Sequence, residues 1–143
     1  MKEVLYKTAA TTSGGRAGKT ETVDGTIALD LSLPKELGGN GGEGKTNPEQ
    51  LFAMGYSACY GSALQHVAQQ KKIDLGDFSV TAEVSLGKNE EDDFQLGVIL
   101  DTYIPGVTVE VGEALINEAH EVCPYSRATE DNIDVTLNLL LDE

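Results

Sequence analysis

The sequence predicts an α+β fold with mainly antiparallel pairing. Three observations carry that prediction: alternating β-branched runs in several places, two long helical stretches, and no strict strand–helix–strand rhythm. At 143 residues and 40% hydrophobic, the chain suits one domain spanning residues 1–143 with a useful core.

Residues 3–12 and 20–32 are rich in β-branched and alternating residues and read as strands. The loop GGRAGK between them carries Arg16, and Asp24-Gly25 has the composition of a hairpin turn inside the second run. Residues 34–47 (PKELGGNGGEGKTN) are glycine-dense and predict a loop, of a length that often has a function.

Asn47-Pro48-Glu49 is a helix start: an amide cap, a proline in the first turn, and an acid at the positive end. The helix is expected to run to about Lys72. From Leu51 to Gly61 it is apolar or small almost all round, which predicts burial on every side and hence a dimer wrapped about it. Its second half is amphipathic, with Leu64, Val67 and Ala68 inward and Gln65, Gln69, Gln70 and Lys71 outward.

Residues 78–87 and 94–104 predict strands around the acidic turn KNEEDD. Residues 108–122 predict a second amphipathic helix with Leu115, Ala119 and Val122 on one stripe, ended by Pro124. Residues 133–141 alternate as an edge or meander strand would.

Composition limits the function classes. A net charge of −14 offers no basic patch for nucleic acid and disfavours anionic membranes. MKEVLYKTAA lacks the apolar stretch of a signal peptide, and no segment reaches a membrane span, so the expected address is cytoplasmic. In a reducing compartment two cysteines are more often catalytic, redox-sensing or inert than a permanent staple.

Those cysteines, Cys59 and Cys123, are the main candidate chemistry. By position alone Cys59 also reads as a small buried hydrophobe. It lies too deep in its helix for the macrodipole to activate it, because that field fades within the first turn. In so acidic a chain a reactive Cys59 needs a cation from elsewhere. Only two arginines exist, Arg16 and Arg127, and Arg16 on its glycine loop is the better candidate; its plain alternative is a solvated loop side chain. Glu49 has a structural role at the helix start, and a carboxylate can also hold Arg16 in a bidentate pose. Ten residues of straight helix separate Glu49 from Cys59 by about 15 Å. If both act, Glu49 comes from a second subunit or Arg16 bridges the gap. Cys123 reads as a buried stripe residue, half of a structural disulfide, or a resolving thiol. His66 and His120 raise the question of zinc, but a seven-residue separation of Cys59 and His66 is too long for adjacent ligands on one helix.

The runs GGRAGK, LPKELGGNGG, TNPEQLFAMGYSAC, AHEVCPYS and NIDVTLN, agreeing in order and spacing, together resemble the organic hydroperoxide resistance (Ohr) branch of the Ohr/OsmC family over nearly the whole chain. The resemblance implies an OsmC-like fold with antiparallel sheets and two main helices, assembled as an intertwined homodimer. It implies a thiol peroxidase in which Cys59 attacks an organic hydroperoxide, Cys123 resolves, and Arg16 and Glu49 orient and activate the site. It implies no bound cofactor or metal, and an external dithiol reductant, a dihydrolipoyl group on a partner protein. Arg127 follows CPYS without an assigned role. Leu51, Phe52, Met54 and Tyr56 suggest apolar surroundings suited to alkyl or lipid hydroperoxides. The rival reading is a non-enzymatic redox sensor or binding module, oxidised once without turnover.

Overall fold

The computed structural model describes residues 1–141. Its chain forms two compact units, Met1–Leu51 and the remainder from Phe52 onward.

The first unit is a three-stranded antiparallel sheet in the order β1 (Ala10–Ser13), β2 (Lys19–Thr22), β3 (Ala28–Asp30). The predicted Asp24-Gly25 turn joins β2 to β3: Gly25 takes φ 81°, and the Asp24 carboxylate accepts the Thr26 N–H. The run predicted as a strand over 3–12 is paired only from Ala10 onward. A strand needs a ladder partner, and β2 has turned back beyond Thr22, so residues 1–9 form no strand and Val4, Leu5 and Tyr6 are exposed. The glycine segment predicted as a loop contains one 3-10 turn, Lys35–Leu37, and is pinned by the Ser32 hydroxyl donating to the Gly41 carbonyl.

α1 (Pro48–Gln70) begins where predicted, with the Asn47 side-chain oxygen capping the Gln50 N–H. In the second unit its residues Leu64, Val67 and Ala68 are buried, and Gln65, Gln69, Gln70 and Lys71 are exposed, as the pattern requires. Burial of the segment before Gly61 is less complete than predicted. Tyr56 and Tyr60 are fully buried, but Met54 is 63% exposed and Ala58 is also exposed, because nothing within the second unit covers that side.

The second sheet has the order β4 (Ser79–Lys88), β5 (Phe94–Tyr103), β6 (Val135–Leu140). β4 and β5 form the predicted hairpin around the acidic turn. β6 is an edge strand as expected but runs parallel to β5, so it is not a meander and this sheet is mixed. The reason is the connection: residues 104–134 carry helices that return the chain to the same end of the sheet, whereas a tight turn would reverse it.

That connection holds α2 (Val109–Val122), capped by the Thr108 hydroxyl, and a short α3 (Pro124–Thr129). Pro124 ends α2 as predicted, yet it also opens α3, since proline is well suited to a first helical position. The α2 stripe is corrected too: Leu115 and Ala119 are buried, Val122 is largely exposed, and Ile116 and Gly112 fill the buried face instead. The core joins Tyr56, Tyr60, Leu64 and Val67 of α1 to Leu115, Ile116 and Ala119 of α2 over Val98 and Leu100 of β5.

Candidate active site

Four residues were singled out by chemistry, and the structure assembles them as two pairs, each within its own unit.

In the first unit Arg16 sits on a one-turn 3-10 helix, Gly15–Ala17, framed by glycines. Gly18 closes this loop so tightly that any Cβ would collide with the Ser13 carbonyl. Arg16 Nη1 and Nη2 donate to Glu49 Oε2 and Oε1 at 2.8 and 2.5 Å, a fork-to-carboxylate pair. The Glu49 carboxyl is held below its ordinary range chiefly by those hydrogen bonds, with partial burial opposing them. The same bonds push Arg16 further toward permanent charge. The bidentate pose expected for Arg16 is therefore present.

In the second unit Cys59 and Cys123 are free thiols with Sγ atoms 3.7 Å apart, at the reach of a weak S–H···S bond. A disulfide bond needs about 2.05 Å, so the two are poised and unjoined. Cys123 is fully buried and serves as both the last cap of α2 and the first cap of α3. Cys59 is half-buried and its thiol is pushed up, first by burial and further by Cys123. One group opposes this: the backbone N–H of Tyr125 favours the thiolate.

The Tyr125 N–H is not among the candidates that the sequence offers. Its signal is Pro124, which sets the first turn of α3 directly after Cys123 and leaves the next N–H groups without helical partners. The Tyr125 ring packs on Tyr56 and Phe52 at centroid distances of 5.6 and 6.1 Å, and Phe52 meets Tyr56 edge-on at 5.9 Å. A Cβ on Gly55 would lie 2.7 Å from the Tyr125 hydroxyl, so glycine is what lets that ring lie against α1. Phe52 and Tyr56 thus supply apolar surroundings as expected, while Met54 points to solvent.

Beneath the aromatic cluster lies a polar one. The Tyr56 hydroxyl is 2.8 Å from Ser126 Oγ and 3.3 Å from Thr129 Oγ1, and Ser126 Oγ is 2.7 Å from His120 Nδ1. His120 is thus occupied by a hydroxyl, and His66 is exposed on α1. Among the described residues no three His, Cys, Asp or Glu side chains converge as a metal site, and no helix is long and apolar enough to cross a membrane.

Comparison with known proteins gives the arrangement a context. Residues 39–138 match the family of OsmC-like proteins. The organic hydroperoxide resistance protein of Xanthomonas axonopodis pv. citri is 46% identical over 139 residues, 96% of each chain. A crystal structure of an organic hydroperoxide resistance protein from Legionella pneumophila superposes with a TM-score of 0.90 at 53% identity, covering 96% of this chain and 98% of that one. The corresponding protein from Elizabethkingia anophelis gives a TM-score of 0.92 at 46% identity, covering 99% and 100%. Sequence and fold agree: this chain belongs to the OsmC-like family, in its organic hydroperoxide resistance (Ohr) branch.

Proposed function

We propose that the protein is a cysteine-based peroxidase that reduces organic hydroperoxides to alcohols. The observation that carries this reading is the 3.7 Å contact between two free thiols. The names of its relatives supply the substrate class. The Cys59 thiolate attacks the outer peroxide oxygen, the O–O bond breaks, and the alkoxide takes a proton and leaves as the alcohol. Cys59 is then a sulfenic acid. The Cys123 sulfur displaces its hydroxyl as water, forming the Cys59–Cys123 disulfide. An external dithiol, a dihydrolipoyl group on a partner protein, reduces that bond by exchange and is itself oxidised to the cyclic disulfide.

Burial works against the thiolate that the first step needs, and one N–H is modest compensation. Arg16, oriented by Glu49, is the cation proposed to complete the site. Ten residues of α1 between Glu49 and Cys59 amount to about 15 Å of rise, so we assign Arg16 and Glu49 at each centre to the second subunit of an intertwined homodimer. Each chain then contributes its single domain, residues 1–143, to two sites. Met54 and Ala58, exposed on α1, are the face that the second copy covers. Free thiols as the working resting state fit a cytoplasmic address.

The test supplies cumene hydroperoxide with dihydrolipoamide and follows turnover and intact mass. The proposal expects catalytic consumption, a disulfide in the wild type, no activity in Cys59→Ser, and oxygen added to Cys59 in Cys123→Ser. Full turnover by Cys59→Ser would refute the mechanism. Oxidation of one equivalent without turnover would make the protein a redox sensor instead.

A further inference from the structure

The Tyr56–Ser126–His120 cluster lies in a core that has no general need of polar side chains. Tyr56, Ser126 and Thr129 are buried and His120 is half-buried. Apolar residues of the same volume would hold such a core without the demand that every hydroxyl be satisfied. Here the demand is met. Tyr56 donating to Ser126 and Ser126 donating to His120 Nδ1 uses each proton once, and Thr129 donates to the Ser126 carbonyl at 3.1 Å. Its placement is systematic. Tyr56 stands one helical turn before Cys59, His120 one turn before Cys123, and Ser126 one turn after Cys123, so three helices meet at one hydroxyl.

α3 has six residues, too few to persist as a helix without tertiary contacts. The backbone links it to α2 through the single residue Cys123, whose extended φ −62°, ψ 122° makes it a joint between them. What fixes the rotation of α3 therefore fixes both the Cys123 sulfur and the Tyr125 N–H. Resting on the proposed peroxidase reading, we propose that Ser126, clamped between Tyr56 and His120, is a positioning residue that holds the α2–α3 joint closed on Cys59 and so directs the sulfenic acid to the disulfide.

The competing fate is defined. Cys59 sulfenic acid and Cys123 thiol give the disulfide and water; the sulfenate and a second hydroperoxide give the sulfinate and an alcohol, a product no dithiol reverses. Closing the sulfurs from 3.7 Å to about 2.05 Å is a short movement while the clamp holds and a search once α3 can turn.

The experiment treats the reduced full-length protein with graded cumene hydroperoxide and reads by intact mass the ratio of disulfide (a loss of about 2 Da) to sulfinate (a gain of about 32 Da). Ser126→Ala and Tyr56→Phe are expected to shift that ratio toward sulfinate by about tenfold each, the weight of one buried hydrogen bond. The double variant should add little more, because both break one clamp. His120→Asn, which keeps an acceptor near the Nδ1 position, should restore what His120→Leu loses. A second measurement titrates the Cys59 thiolate by ultraviolet absorbance in the Cys123→Ser background. Loss of the clamp frees Tyr125 and moves the midpoint up, whereas simple loosening admits water and moves it down. Wild-type ratio and midpoint in a folded Ser126→Ala protein would overturn the proposal; should that variant not fold, the same result in Tyr56→Phe, which keeps the whole ring, decides. If hydroperoxide leaves wild-type Cys59 untouched, the peroxidase reading fails while the thiolate titration still tests the clamp.

Discussion

The two units handle polarity in opposite ways. In the first, a charged pair lies half-open, and the unit's one buried hydrophobic residue among those described is Leu31, just after β3. In the second, two thiols and a hydroxyl cluster sit in or beside a packed core of two helices on a sheet. The contrast teaches where each kind of group can work. A guanidinium keeps its charge anywhere, so it needs orientation rather than burial, and a glycine loop with one carboxylate supplies that. A thiol pair needs fixed distance and shelter from water, which only dense packing provides.

Breaking the thiol pair should have the largest effect. Cys59→Ser is expected to reduce hydroperoxide turnover on the order of 10³-fold or more in the dihydrolipoamide-coupled assay, since no other group can take the oxygen. Core packing comes next. Leu64→Ala, at a fully buried position, should cost about 2–5 kcal/mol by urea denaturation. Arg16→Ala separates function from stability in the first unit: turnover should fall about 10²-fold, while unfolding free energy changes by at most about 1 kcal/mol, because Arg16 is more than a third exposed. Arg16→Lys should recover little of the activity, as an ammonium cannot match the fork.

Gly55→Ala is a milder probe of the second unit. Its methyl group would displace the Tyr125 ring, and a cost of about 1–3 kcal/mol is expected in thermal unfolding.

The smallest effects are in pH, and they have opposite signs in the two units. Glu49, held low, stabilises the fold above the unfolded carboxyl value, and that stability is lost as pH falls through its folded value. Cys59, pushed up, is accommodated as the neutral thiol, and stability is lost as pH rises past the unfolded thiol value of about 8.5. Denaturation followed across pH should lose part of its alkaline slope in Cys59→Ser and part of its acid slope in Glu49→Gln.

Much of this molecule is legible from local chemistry. Asn47-Pro48-Glu49 starts α1 at the predicted residue, Asp24-Gly25 turns the first hairpin, and KNEEDD turns the second. What escaped depended on distant partners. Residues 3–9 have strand-forming side chains and no strand beside them. Residues 133–141 alternate correctly, but alternation carries no direction, and the helical connection made β6 parallel. Val122 continues an apolar stripe and is nonetheless exposed, since the buried face runs through Ile116, Ala119 and Cys123 and leaves Val122 to one side. Pro124 reads as a stop in sequence and proves also to be a start.

The chain by itself settles the α+β class, the helix starts, the hairpins, and which side chains have reactive chemistry, because caps, turns and periodicities act over a few residues. Only the tertiary structure decides that Cys59 and Cys123, 64 residues apart, stand sulfur to sulfur, and that Arg16 grips Glu49 across 33. It alone shows the hydroxyl clamp behind the thiols. Those contacts form only when separate elements pack, and hydrogen-bond and thiol chemistry change over a fraction of an ångström, a precision that spacing along a chain cannot encode.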